Sequence, residues 1–386
     1  MGQLNPARRM VPTVIAALLG CLIQSVSPET SSQVTIMAAK KFGDTQIQLF
    51  GTSLPPLQSE WTSGPIVSGK VVRFDPGANV LARRVFSSDA PATGIAPNSY
   101  IEAWDLLSQR RSQLFPTRDL ESAIAKAYPA GALQRMRGRV VGEMQVTLDL
   151  TTAAALHNRI DDCVDLWVID ATGRTYIKVS DGDNYDEMPV WSPDGSKLAF
   201  YRTPSRIGHG WDSGPQARGY ALWLWDRRTG KAHEIAPAGK FADLAHLPPG
   251  WSTDGSKILL NTGYDFMKER LGVYIVGRDG QGLRCLNEQD TGSMTTTSSY
   301  EFSPDGRQVL YTWRGAVCLV NADGTNRRVI LSPPPYYYHA SWSSEGARIV
   351  VMDHNFSWAV ANPDGTNPQP IVPPQGYIIY KAYVVD

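Results

Sequence analysis

The chain has 386 residues, of which 42% are hydrophobic and 19% charged, with 37 basic residues set against 37 acidic ones. That balance excludes a broad electrostatic attraction to nucleic acid or to anionic lipid. Gly 34 and Pro 27, with 11 Trp and 16 Tyr, favour many short strands joined by turns over long helices.

The first element in chain order is a leader. Arg8 and Arg9 precede the apolar run "MVPTVIAALLGCLI", after which "QSVSPETSS" turns small and polar. A basic start, a short apolar core and small residues at Ser25 and Ser27 predict a signal peptide over 1–27 and export of the remainder. The run stops at Gln24, short of the ~20 apolar residues that span a membrane. Lipid attachment at Cys21, in "LLGC", and an uncleaved anchor are the alternatives. Cys163, Cys285 and Cys318 remain beyond it. They are odd in number and lack CxxC spacing, so neither a disulfide framework nor a zinc site is expected.

Residues 28–65 form an N-terminal segment in which "TQIQLFGT" reads as a strand left to close a ring. From 66 to 386 one phrase repeats: Trp191-Ser-Pro-Asp-Gly195, Trp251-Ser-Thr-Asp-Gly255, Phe302-Ser-Pro-Asp-Gly306 and Trp342-Ser-Ser-Glu-Gly346, with a worn copy at Phe74-Asp-Pro-Gly-Ala78. Each is followed by an apolar-rich stretch such as "SKLAFYRT" or "RQVLYTWR", and then by a second turn phrase such as "LWLWDRRTGK" or "VCLVNADGTN". The glycines of the second phrase, Gly173, Gly230, Gly280, Gly324 and Gly365, recur at intervals of about 41 to 57 residues. One repeat is therefore two hairpins closed by turns that accept positive φ at low cost. Four antiparallel strands per unit predict an all-β fold, a β-propeller of six blades, with seven left open. The units fall at about 66–115, 139–180, 186–237, 243–288, 297–332 and 337–372, and the tail "GYIIYKAYVVD" is a second leftover strand. Helix is expected only in the leader and in the link 116–138, where Thr117 would cap a short helix with Asp119 and Glu121 in its first turn.

These phrases resemble the TolB-like propeller repeats, most strongly over 186–372. The resemblance implies a periplasmic or cell-surface scaffold that performs no catalysis. The α/β domain that TolB carries ahead of its propeller has no counterpart in residues 28–65, which makes a role in the Tol envelope system doubtful. Ser192 then reads as a turn residue, with Asp194 bonding the local backbone and Gly195 supplying the permissive dihedral. Four copies of one catalytic serine would make no chemical sense.

In such a blade the first and third turns lie on one face, and the middle loop with the link between blades lies on the other. The Asp-Gly turns are short and uniform. The middle loops are long and irregular in the first four units, as in "TPSRIGHGWDSGPQARG" and "TGYDFMKERLG". Binding belongs on the irregular face, and the residues just ahead of each inner strand rim its mouth. The candidates are Asp186, Glu187, His246, Tyr338 and His339. The partner expected is a protein or peptide, an oligosaccharide being the second choice, taken up by a monomer without cofactor, metal or nucleic acid.

Chemistry is otherwise sparse. "GPIVSGKV" at 64–71 has phosphate-loop spacing but Val71 in place of the required hydroxyl. No Gly-x-Ser-x-Gly elbow occurs, and the 6 histidines form no HExxH or His-x-His pair. The competing reading is a polysaccharide lyase resembling the oligogalacturonate lyases, which act through a metal and histidines at the channel mouth. His246 and His339 would have to serve.

Overall fold

The computed structural model describes strands at 33–41, 48–54 and 61–62, further strands between 71 and 115, parts of 123–159, and then 163–182, 184–203, 220–237, 247–261, 272–287 and 297–385. The leader with Cys21, His246, and the loops 204–219 and 262–271 lie outside the described residues. In the link expected to hold a short helix, Ala123, Lys126 and Ala127 are helical.

Nearly everything else is antiparallel strand. Four-stranded sheets are built from consecutive segments over Val71–Leu114, Gly250–Cys285, Tyr300–Leu331 and Tyr337–Ile371. A nine-stranded sheet joins the groups over Gly138–Lys178 and Tyr185–Ala236 through one parallel pair, Val164 with Tyr185. The two leftover stretches meet in a further sheet of four. There Gln33–Lys41 lies between Tyr377–Val385 on one side and Gln48–Leu54 on the other. The chain's first described strand is thus paired with its last.

The repeated phrase folds as its composition dictates. Ser192 Oγ donates to Asp194 Oδ1 at 2.6 Å and accepts from Lys197 N at 2.9 Å. Gly195 N bonds Ser192 O at 2.9 Å with φ +65°, a dihedral that glycine adopts without a Cβ penalty. Ser252–Asp254 and Ser303–Asp305 repeat the contact, each at 2.6 Å.

The strand after the turn is buried on both faces, which explains its near-continuous apolar run. Along Lys197–Thr203 alternate side chains enter different layers. Leu198 and Phe200 pack with Ala154, Leu166 and Trp225, whereas Ala199 and Tyr201 pack with Ile258, Leu260 and Val276 of the next sheet. Further layers continue the series. Leu259 and Ile275 meet Val309 and Tyr311, Leu310 and Leu319 meet Ala340 and Val351, and Val350 and Val360 meet Ala382 and Val384. The core therefore consists of apolar layers between successive sheets.

Candidate functional site

The mouth residues are placed by register. Trp191 pairs with Leu198 and Trp342 with Ile349, and three residues further along the second strand stand Tyr201 and Met352. Their partners are Glu187 and His339. The two predicted residues occupy equivalent rungs of the inner strands of two different sheets. Both inner strands bulge there, between Glu187 and Val190 and between Tyr337 and His339. In the first bulge Met188 adopts φ +50°, a conformation costly for a non-glycine residue and concentrated at functional positions. Bulges re-aim side chains, and both of these lie at candidate residues, beside Glu187 and His339.

Adjacent residues on the first strand diverge. Asp186 turns toward the preceding group of strands within the same nine-stranded sheet and is fully buried. Its carboxylate accepts from Arg202 Nε at 2.6 Å, from a second Arg202 nitrogen at 2.8 Å and from Ser180 Oγ at 2.6 Å. Arg202 also bonds Asp181, and its guanidinium lies 4.6 Å over the Trp223 ring and 5.1 Å from that of Phe200. This is a satisfied ion cluster, in which every oxygen of Asp186 has a partner.

Glu187 faces the following sheet instead. Burial pushes its carboxyl up to about 7, against the lowering effect of a hydrogen bond with Tyr220. Desolvation favours the neutral acid when no cation compensates it.

At the other rung Tyr338 is about half exposed, whereas His339 is half-buried. The imidazole lies 5.6 Å from the Trp358 ring, and its Nε2 is buried with no hydrogen-bond partner among the described residues. Burial, and then the charge of Lys381, hold it down at about 4, so it is neutral at ordinary pH. No described contact joins Glu187 to His339, and His246 lies outside the described residues. Among the described residues no group of three His, Cys, Asp or Glu side chains is placed to hold a metal ion, and no helix is long and apolar enough to cross a membrane.

Several polar residues beside the candidates escaped the sequence reading. Tyr201 and Arg202 lie near the end of the strand that follows the Ser-Pro-Asp-Gly turn, and their polarity on a doubly buried strand was the available signal. Glu301 Oε2 accepts from Trp342 N at 2.9 Å, and Ser299 Oγ accepts from Ala340 N at 2.9 Å. Side chains of one inner strand thereby satisfy the free backbone edge of the next. Desolvation raises the carboxyl of Glu301, against the lowering effect of the bond from Trp342 N.

No protein-family profile matches the chain, and no curated protein matches it in sequence. Solved structures do. The chain superposes on the β-propeller domain of the Trilobed protease from Pyrococcus furiosus with a TM-score of 0.55 at 12% identity, covering 89% of this chain and 95% of that one. An oligogalacturonate lyase in complex with manganese gives a TM-score of 0.52 at 12% identity, covering 90% and 95%. A prolyl endopeptidase gives 0.54 at 14% identity over 77% of this chain, which spans only 42% of that longer one. TolB from Acinetobacter baumannii also matches, at 16% identity over 77% of this chain and 70% of that one, with a TM-score of 0.39 that carries no argument. At these identities the likeness shows the fold alone. The chain is an all-β propeller.

Proposed function

We propose that this propeller is an exported, non-catalytic scaffold that captures a protein or peptide partner on its long-loop face, as a monomer without cofactor. One observation carries the reading. The large apolar side chains most exposed among the described residues are Tyr336 at 53%, Phe356 at 62% and Val372 at 72%, with Tyr338 close behind at 49%. Tyr336, Phe356 and Val372 stand on links or a middle loop, and Tyr338 at the bulge of the inner strand Tyr337–Trp342. Exposed aromatic residues on such connections are the usual anchors of a partner. Export rests on the leader sequence, and an envelope setting on the TolB-like turn phrases.

The test is capture from the native envelope fraction by the wild-type protein, by Tyr338→Ala/Phe356→Ala and by Asp305→Lys on the short-turn face. The partner should be lost with the aromatic pair and kept with the charge reversal, all three melting alike. Equal capture by all three proteins, or the opposite pattern, would overturn the reading. The lyase alternative gains no specific observation here; stoichiometric binding of manganese by the purified protein would revive it.

A further inference from the structure

One contact of the repeat is broken in a single place. In three sheets the side chain two positions after the first turn glycine bonds the residue that opens the second turn. Lys197 forms an ion pair with Asp226, Gln308 Nε2 donates to Asn321 Oδ1 at 3.4 Å, and Arg348 donates to Asn362 Oδ1. In the sheet Gly250–Cys285 the corresponding rung pairs Lys257 with Gly277, which has no side chain to answer it. The turn keeps that position bare, because a Cβ at Gly277 would come 2.5 Å from Asp279 Oδ1 and 3.1 Å from Gln281 O. Asp279 does not replace the missing acceptor. Its Oδ1 accepts from Gln281 N at 3.0 Å, and among the described residues no ion pair joins it to Lys257.

A cavity of about 420 Å³ opens at this rung. Its charged lining is Lys257, Arg278 and Arg284 against the single carboxylate of Asp279, with Ser256 and Gln281 beside them. None of the three cations forms an ion pair among the described residues. Asp254, Asp194 and Asp323 feel the charges of Lys257, Arg278 and Arg284 in turn, but each is held first by a hydroxyl of its own turn, from Ser252, Ser192 and Thr325. Arg284 donates one N–H to Ala322 O at 2.5 Å, which fixes the guanidinium and leaves its other donors available. A cation would meet three like charges here, and a neutral ligand would leave them uncompensated. An oxyanion satisfies the lysine as Asp226 does in the preceding sheet, and its second oxygen suits the planar fork of an arginine.

We propose that this cavity is a site for an oxyanion, a carboxylate or phosphate group that stands toward Lys257 as the Asp226 carboxylate stands toward Lys197. The site lies among the Asp-Gly turns, on the face opposite to the one assigned to partner capture, and neither reading depends on the other. The preceding sheet supplies an internal comparison. Arg227 N bonds Ser196 O at 3.0 Å, and Arg278 N bonds Ser256 O at 3.0 Å. The two arginines therefore hold equivalent positions, but only Arg278 borders a rung that lacks its acceptor.

The experiment follows lysine side chains by NMR in the full-length protein labelled at lysine Cε, with the two signals of interest assigned through Lys257→Gln and Lys197→Gln. The probes are sodium phosphate and sodium acetate, each exchanged against sodium chloride at constant ionic strength. The Lys257 signal should shift saturably with at least one of them, and the more effective probe names the group. The Lys197 signal should stay in place, because Asp226 already occupies that lysine. Arg278→Gln should raise the half-saturating concentration about tenfold, the scale of one charge-assisted hydrogen bond. Its melting temperature should not fall, since the side chain is exposed. Arg227→Gln removes the same surface charge one sheet earlier and should leave half-saturation unchanged. A Lys257 signal that moves no more than that of Lys197 would overturn the site, as would equal half-saturation in the two arginine variants.

Discussion

Trp251 donates its indole N–H to Val190 O at 3.1 Å, across the layer between two successive sheets and 61 positions apart in sequence. The aromatic residue of this turn phrase is thus more than filler, since it ties two repeats with a directed bond. Trp251→Ala should cost about 3 kcal/mol, because the side chain is partly rather than fully enclosed. Trp251→Phe, which keeps most of the packing, should cost about 1 kcal/mol. Urea unfolding measures both, and equal costs would assign the whole effect to the hydrogen bond.

The glycines of the second turn phrase are equivalent in sequence and unequal in their surroundings. Gly324 and Gly365 both adopt φ +84°, but a Cβ at Gly365 would come 2.1 Å from Ile330 O of the preceding sheet, while at Gly324 nothing lies within 4 Å. Gly324→Ala should cost about 1 kcal/mol from the dihedral alone. Gly365→Ala should cost about 3 kcal/mol or more, because main chain must move. Thermal melts of the two variants decide it.

The turn carboxylates set the acid limb of stability. The hydrogen bond from Ser252, followed by those from Ser256, holds Asp254 at about 2. An unfolded chain would ionise it near 3.9. With the folded value depressed, its stabilisation is present above about pH 4 and is lost as the pH falls toward 2. Asp254→Asn should flatten the stability profile in that window, and leave its slope unchanged between pH 5 and 8.

Glu187 acts with the opposite sign. Its folded carboxyl stands at about 7, above the unfolded value of about 4.3. Its contribution is complete below about pH 4.3 and is lost as the pH rises through about 7, because the unfolded chain releases the proton first. Denaturant unfolding from pH 4.5 to 7.5 should show a downward component that Glu187→Gln abolishes. A profile identical in the two proteins would show that the carboxyl is solvated.

The turn phrases made the sheets legible, since Asp-Gly turns at a repeating interval leave few other ways to dispose of the chain. Strand polarity was legible too: "KLAFYRT" is apolar at successive positions because both faces are covered. The mouth was readable only to the level of neighbouring residues. That Asp186 turns to Arg202 while Glu187 turns away follows from alternation, but the partner of each depends on ladder register. Register in turn depends on bulges at Met188 and Tyr338, which no composition rule announces. His339 is enclosed by Trp358 and biased by Lys381, contacts that exist only once the last strands are in place. Tyr300 reaches Pro248 because the Gly250–Trp251 strand is short, and strand length was invisible beneath a regular phrase.

The pairing of Gln33–Lys41 with Tyr377–Val385 has an orientational consequence. Val34 stands opposite Val385, and Ser344, in a short turn, donates its N–H to Val384 O at 3.0 Å. The two ends of the described chain therefore leave the ring together, on the side of the Asp-Gly turns. An attachment made at either end of the described chain therefore sits beside the uniform Asp-Gly turns, away from the middle loop that carries Phe356.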